Sequence, residues 1–408
     1  MLTLDFMWKM KYISLLLAVF FLISCQPNYN IKNSHYCVDT LLIQPQKMTE
    51  SLGVSDYSVD SIVRLKLSGN VFLSNADKMI FLKNRIFILD KFQSKKIWVF
   101  DGAGSFLYTI GEVGKSLSEF IEGPSDFDVD ESEGKLYAYD KWKGEMLIFS
   151  DKGKFLENKK IEDILPTSFA IEKNGNFVFS IKDMSMGRAN YELSVYSPSM
   201  QPVCNLKALK EESLYLPANY QFSKNNGHVY YIPILSDSVF RIANDTIDKL
   251  IWVDFDKQFI SAKDRSDLFA MKHPSNGNHV KQINDYQESD NWVYVSYVYK
   301  GIVYSYIKNK KSGKIINTPV LIDGLFSPQR VILHGDQLIC FLPDDFNSSL
   351  LYIRSKMKEA WKKQYALTNI KIQHMIDSQM SNPAIVYLHL KKISKHGIKR
   401  NSRTIYKQ

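Results

Sequence analysis

The feature that most constrains this chain is an internal repeat of fifty residues. Arg85-Ile86-Phe87-Ile88-Leu89-Asp90 returns as Lys135-Leu136-Tyr137-Ala138-Tyr139-Asp140. After a one-residue slip, Ile97-Trp98-Val99-Phe100 returns as Met146-Leu147-Ile148-Phe149, Gly104 as Gly153, and Phe106-Leu107 as Phe155-Leu156. A period of about 40 to 50 residues belongs to propellers and solenoids, in which each unit buries its apolar faces against its neighbours. Each copy divides into short β-rich runs separated by Gly, Asp, Asn and Lys, the pattern of an antiparallel four-stranded meander. Asp101-Gly102-Ala103-Gly104 and Asp151-Lys152-Gly153 read as hairpin turns.

Later copies diverge. A third runs through Phe169 to Phe179, a fourth starts near Tyr220, a fifth spans His279 to Gly324, and a sixth begins at Pro328 with strands at Val331-Ile332-Leu333 and Leu338 to Leu342. Two stretches interrupt the series, Asp256 to Lys272 and Pro343 to Pro383, and each reads as a helical excursion, the second with its helix at Ser355 to Tyr365. Strand-like runs at Tyr57 to Leu67 and Pro383 to Leu390 lie outside the complete copies, and together they can finish the last blade and close the ring. The expected fold is therefore all-β, a six-bladed β-propeller over residues 57–391 with four-stranded blades and short helical insertions.

The N-terminus reads as an export signal. Lys9 and Lys11 precede an apolar run from Ile13 to Ile23, too short for a bilayer core that takes about 20 apolar residues. Leu22-Ile23-Ser24-Cys25 resembles the lipobox of bacterial lipoproteins, which implies cleavage after residue 24 and lipid attachment at Cys25. Residues 25–56 then read as a linker and 392–408 as a basic tail. Gln26 stands where Asp would signal inner-membrane retention, so an outer-membrane lipoprotein is expected, with either leaflet open. Met10 fits a signal of this size better than Met1 as the start.

The formal charge of +9 is not a nucleic-acid patch, because residues 391–408 hold seven Lys or Arg and no acid while the body is close to neutral. Cys37, Cys204 and Cys340 remain once Cys25 is lipidated, and the last two sit in apolar runs that read as buried free thiols. No Cys-x-x-Cys pair, Gly-x-Ser-x-Gly elbow or phosphate loop occurs.

The run Gly111 to Pro124, followed by Phe127-Asp128-Val129-Asp130, Tyr137 to Asp140 and Leu147-Ile148-Phe149, resembles NHL-type propeller repeats. The close at Asn382 to Leu388 is similar to that of the six-bladed propeller lipoproteins of Bacteroidota. The resemblance implies fold and compartment, and leaves the biochemistry open.

In a propeller the loops joining second to third strands share a face with the blade-to-blade connections, and ligands commonly sit there. Asp90 and Asp140 end second strands, with Phe92 and Trp142 two residues on. A rim of Phe92, Lys95, Trp142, Lys143 and Arg188 would stack and hydrogen-bond a glycan, peptide or envelope protein. The competing reading has both aspartates capping their own turns and both rings packed on neighbouring blades. A non-catalytic binding module, without cofactor and monomeric, is the leading expectation. The rival is a metal-assisted lyase or hydrolase using Ca or Zn in the channel, as in some NHL-like propellers. Its candidate ligands are scattered: His228 and His334 at turns on the opposite face, His273 and His279 in one loop, and Asp126, Asp128 and Asp130 alternating on one strand.

Overall fold

The computed structural model describes residues 36–67, 73–181, 191–208, 220–264, 278–343, 346, 358–378 and 382–391. Six antiparallel four-stranded blades surround a common axis. A first strand, β1 (Cys37–Leu42), precedes β2 (Tyr57–Arg64). The first blade is β3 (Lys78–Leu82), β4 (Arg85–Asp90), β5 (Lys96–Asp101) and β6 (Phe106–Ile110). The second is β7 (Asp126–Asp130), β8 (Lys135–Asp140), β9 (Glu145–Phe149) and β10 (Phe155–Lys160), and the third is β11 (Pro166–Ile171), β12 (Phe177–Ile181), β13 (Tyr191–Tyr196) and β14 (Pro202–Ala208). The fourth comprises β15 (Phe222–Asn225), β16 (His228–Tyr231), β17 (Ser238–Ala243) and β18 (Thr246–Asp254), and the fifth β19 (Val280–Glu288), β20 (Trp292–Tyr299), β21 (Ile302–Asn309) and β22 (Ile315–Thr318). The sixth takes β23 (Arg330–His334), β24 (Gln337–Leu342) and β25 (Ala384–Leu390) from the end of the chain and β2 from its beginning.

That last pairing closes the ring. β2 runs antiparallel to β25 from Tyr57 opposite Leu390 to Arg64 opposite Ala384, with one irregularity between Val59 and Ser61. Without it β25 would present an open edge. The expected closure by the 57–67 and 383–390 segments is thus the observed one.

Strand alternation explains how blades pack. Successive side chains point to opposite faces, and both faces of a blade meet a neighbouring blade. In β4, Phe87 and Leu89 pack with Phe127, Val129, Leu136 and Ala138 of the second blade, while Ile86 and Ile88 pack with Ile339, Phe341 and Ile385 of the sixth. In β8, Leu136 and Ala138 face back to the first blade, while Tyr137 and Tyr139 join Phe169, Phe177 and Phe179 of the third. Burial on both faces accounts for the unbroken buried runs in β4, β5, β8 and β9, since each fully buried large apolar side chain contributes about 1.5–3 kcal/mol.

Three features lie outside the repeat. Within the stretch read as a linker, β1 adds a fifth strand to the fourth blade, parallel to β18. The helix expected at 355–365 is α1 (Lys358–Ala366), and a second helix, α2 (Ile370–Asp377), follows it. Asn369 caps α2 by accepting the Lys371 N–H, and Ile372 and Met375 bury the helix on the core between the fifth and sixth blades. Of the 256–272 excursion, only residues 262–264 are described as helical, and the remainder from 265 lies outside the described residues. So do the signal segment with Cys25, Arg188, His273 and the tail from 392.

Candidate functional site

Each blade runs outward from its first strand, so β3, β7, β11, β15, β19 and β23 surround the axis. The loops from second to third strands and the blade-to-blade connections then share one face, called upper here. The turns from first to second and third to fourth strands share the lower face.

On the upper face, Asp90 and Asp140 do cap their own turns. Asp90 accepts from the N–H groups of Gln93 and Ser94 at 3.0 and 3.3 Å. Asp140 accepts from Trp142 and Lys143 at 2.9 and 3.2 Å, and its other oxygen takes the Ile121 N–H at 2.8 Å. The aromatic half of that competing reading fails, because Phe92 is 73% exposed and Trp142 54% exposed. The caps hold the loops while the rings stand in solvent.

The 111–124 connection ties these two loops together. The Lys95 carbonyl packs so tightly on Gly111 and Gly123 that a Cβ at either would come within 2.8 or 2.6 Å of it, and both glycines have positive φ. Lys143 Nζ donates to the Ser116 carbonyl at 3.0 Å and also to that of Glu119. Lys143 therefore braces the connection, whereas the Lys95 side chain is exposed. Val113, Leu117 and Ile121 on the same connection are exposed as well, at 60%, 68% and 47%. Lys141 Nζ lies 4.7 Å from the Trp142 ring centroid. Of the five residues expected at the rim, the structure brings Phe92, Lys95, Trp142 and Lys143 to one loop cluster, with Arg188 outside the described residues.

The axis itself is polar and stitched. Asp126 stands 3.1 Å from Lys78 and accepts the Phe169 N–H at 2.9 Å, while Lys78 Nζ donates to the Phe169 carbonyl at 3.1 Å. Asp128 pairs with Lys224 at 2.8 Å and accepts the Ile171 N–H at 2.7 Å. Gln287 bonds both the Val331 carbonyl, at 2.8 Å, and the Leu333 N–H, at 2.6 Å. Alternating polar residues on inner strands thus bond the next blade's backbone, which inner strands of neighbouring blades cannot do by ordinary pairing. Asp130, the third of the alternating set, instead caps a turn by accepting from Ser132. Burial raises the Asp126 carboxyl, but Lys78, Lys91 and the Phe169 amide outweigh it and hold the group below its usual range.

Sequence reasoning missed Lys78, Lys224, Asp285, Gln287 and Arg330, which line the axis or its stitches. The available signal was a polar residue recurring in the first strand of successive copies. His228 and His334 lie at lower-face turns as expected, and His279 immediately precedes β19 at the upper end. Among the described residues, no three His, Cys, Asp or Glu side chains group as a metal cage. No helix among them is long and apolar enough to cross a membrane.

The family described as a domain of unknown function, DUF4934, matches residues 43–389. The chain belongs to the DUF4934 family. This DUF4934 member shares its fold with a putative exported protein from Bacteroides fragilis, at 14% identity and a TM-score of 0.68, covering 87% of this chain and all of that one. A DUF4221 family member from Bacteroides vulgatus gives 10% identity and a TM-score of 0.48 over 82% of this chain and 98% of that one. A virginiamycin B lyase from Staphylococcus aureus gives 9% and 0.41 over 77% and 80%. No curated protein sequence matches the chain.

Proposed function

We propose that this DUF4934 protein is a non-catalytic binding or assembly module of the cell envelope, held at the outer membrane by lipid on Cys25. Its upper face at the first two blades recognises an extended segment of a partner protein. One observation carries the reading: Phe92, Val113, Leu117, Ile121 and Trp142 are all exposed on three loops, the 111–124 connection being bonded to the 141–144 loop and packed on the Lys95 carbonyl of the 91–95 loop. Scattered apolar side chains are normal on a surface, whereas a braced group ringed by polar residues marks an interaction site. Lys91, Lys95, Lys115, Lys141 and Lys143 outnumber Glu112, Glu119 and Glu122 in the same loops, so the segment should carry acidic as well as apolar side chains. The channel carboxylates Asp126 and Asp128 support a binding role, because each is engaged by a lysine and a backbone amide rather than left for proton transfer.

The test places a photo-crosslinking residue at Phe92, Trp142 or, on the lower face, Lys173, in the lipidated protein in cells. A discrete adduct from the first two positions, absent from the third and lost on Leu117→Asp, is the expected result. Equal labelling from all three positions, or from none, sinks the reading. Cys25→Ser should move the protein from the membrane to the soluble envelope fraction, and retention in the membrane would contradict the anchor.

A further inference from the structure

Where the sixth blade meets the first, a cavity of about 590 Å³ extends along the axis to the lower-face turns. That volume suits a small organic ligand. Lys78, Lys83, Arg85, Lys224 and Arg330 line it, against the carboxylates of Asp128 and Glu131. Lys78 and Lys224 are neutralised by Asp126 and Asp128. Arg85 turns to the second blade, with Nη1 3.8 Å from Asp151. Arg330 is not fully used: it is 5% exposed and its Nη1 lies 3.2 Å from Asp285, yet its Nε is buried with no hydrogen-bond partner. A buried guanidinium hydrogen without an acceptor is costly, and an acceptor arriving with a ligand removes that cost. The Arg330 guanidinium carbon sits 3.3 Å from the Tyr220 ring centroid, a stacking that fixes the plane and leaves the in-plane Nε–H for an anion. The cavity also has an apolar wall of Phe81, Ile332, Ile339 and Tyr387.

We infer that this cavity binds a small organic carboxylate, with the carboxylate at Arg330 and the body of the molecule against the apolar wall. A singly charged group fits better than a phosphate dianion, because Asp128 and Glu131 line the same space, Asp285 lies 3.2 Å from Arg330, and these carboxylates would repel the second charge. The residues that line this cavity do not belong to the 91–95, 111–124 or 141–144 loops, so the two readings stand or fall separately.

The experiment is calorimetric titration of the full mature chain, as the unlipidated Cys25→Ser variant. The probes are glucuronate, galacturonate and phenylacetate, their neutral counterparts glucose, galactose and phenylacetamide, and glucose 6-phosphate. At least one acid should bind tenfold or more tightly than its neutral counterpart. Arg330→Gln should weaken that binding at least tenfold, and Arg330→Lys, which keeps the charge but loses the Nε–H, several-fold, the latter serving alone if Arg330→Gln does not fold. Acids that bind no better than their neutral counterparts, including no binding by any probe, overturn the inference. So does undiminished affinity in Arg330→Lys or in a folded Arg330→Gln. Preference for glucose 6-phosphate over every acid overturns the assignment to a carboxylate.

Discussion

The Asp126 carboxylate accepts the Phe169 N–H at 2.9 Å and stands 3.1 Å from the Lys78 ammonium, so one side chain of the second blade holds both the third and the first. Asp126→Asn keeps the shape and removes the charge. Losing one partner of a buried pair costs about 3–5 kcal/mol, so urea denaturation at pH 7 should show a loss of that order.

The same carboxylate predicts a pH dependence. Its pKa in the folded state is held below the ordinary 3.8, so the unfolded chain takes up its proton first as the pH falls. The stability it contributes is present above about pH 4 and disappears as the pH drops through the depressed value. Asp126→Asn should therefore lose less stability between about pH 4 and pH 2.5 than the native chain. Denaturation series with identical slopes in that window would contradict the pairing.

Closure by β2 makes the N-terminal segment a structural part of the sixth blade. A chain beginning at Leu67 leaves the Ala384–Leu390 edge open and uncovers Val386, Leu388 and Leu390. It should elute as aggregate in size exclusion and show no cooperative melt, whereas a soluble monomer with the native melting temperature would refute the closure.

Gly123 and Gly301 separate backbone conformation from close packing. Both have positive φ, +107° and +75°, but an added Cβ would come within 2.6 Å of the Lys95 carbonyl at Gly123 and meet nothing within 4 Å at Gly301. Gly301→Ala should cost about 1–2 kcal/mol for the left-handed backbone alone. Gly123→Ala should cost at least about 2 kcal/mol more, because the 111–124 connection must shift, and should also abolish crosslinking from Phe92. Equal costs in thermal melts would mean that the contact yields easily.

The thiols should differ in reactivity. Cys37 is exposed on β1, while Cys340 is buried in β24 and burial pushes its thiol far above the usual range. A maleimide at pH 7 should modify Cys37 in the folded protein and Cys340 only in denaturant, read by mass spectrometry of the digested chain. Early modification of Cys340 would show that the core between the fifth and sixth blades opens readily.

Much of the ring was legible because blade packing is written locally. The fifty-residue repeat, the Gly-bearing turns and the buried runs at Ile86–Asp90 and Leu136–Asp140 depend on strand periodicity and turn chemistry, which neighbouring residues set. β1 gave no such signal, because five of its six residues are exposed and its partner β18 lies more than two hundred residues away. Helix α2 was obscured by its brevity, and its place comes from Lys371 donating to the Val59 carbonyl at 2.7 Å, across the chain. At the rim, the sequence supplied the aromatic and basic residues but not their exposure, which follows from how the 111–124 connection lies between the two loops.

The sequence by itself determined six β-rich units and the need for both chain ends to complete the last, because alternation and turn residues act over a few positions. The tertiary structure decided which polar residues meet at the axis. Lys78 and Asp126 are 48 residues apart and become partners only when the ring sets inner strands side by side. Likewise, whether Arg330 finds an acceptor for every hydrogen depends on the space left where the last blade meets the first, and no local pattern encodes that.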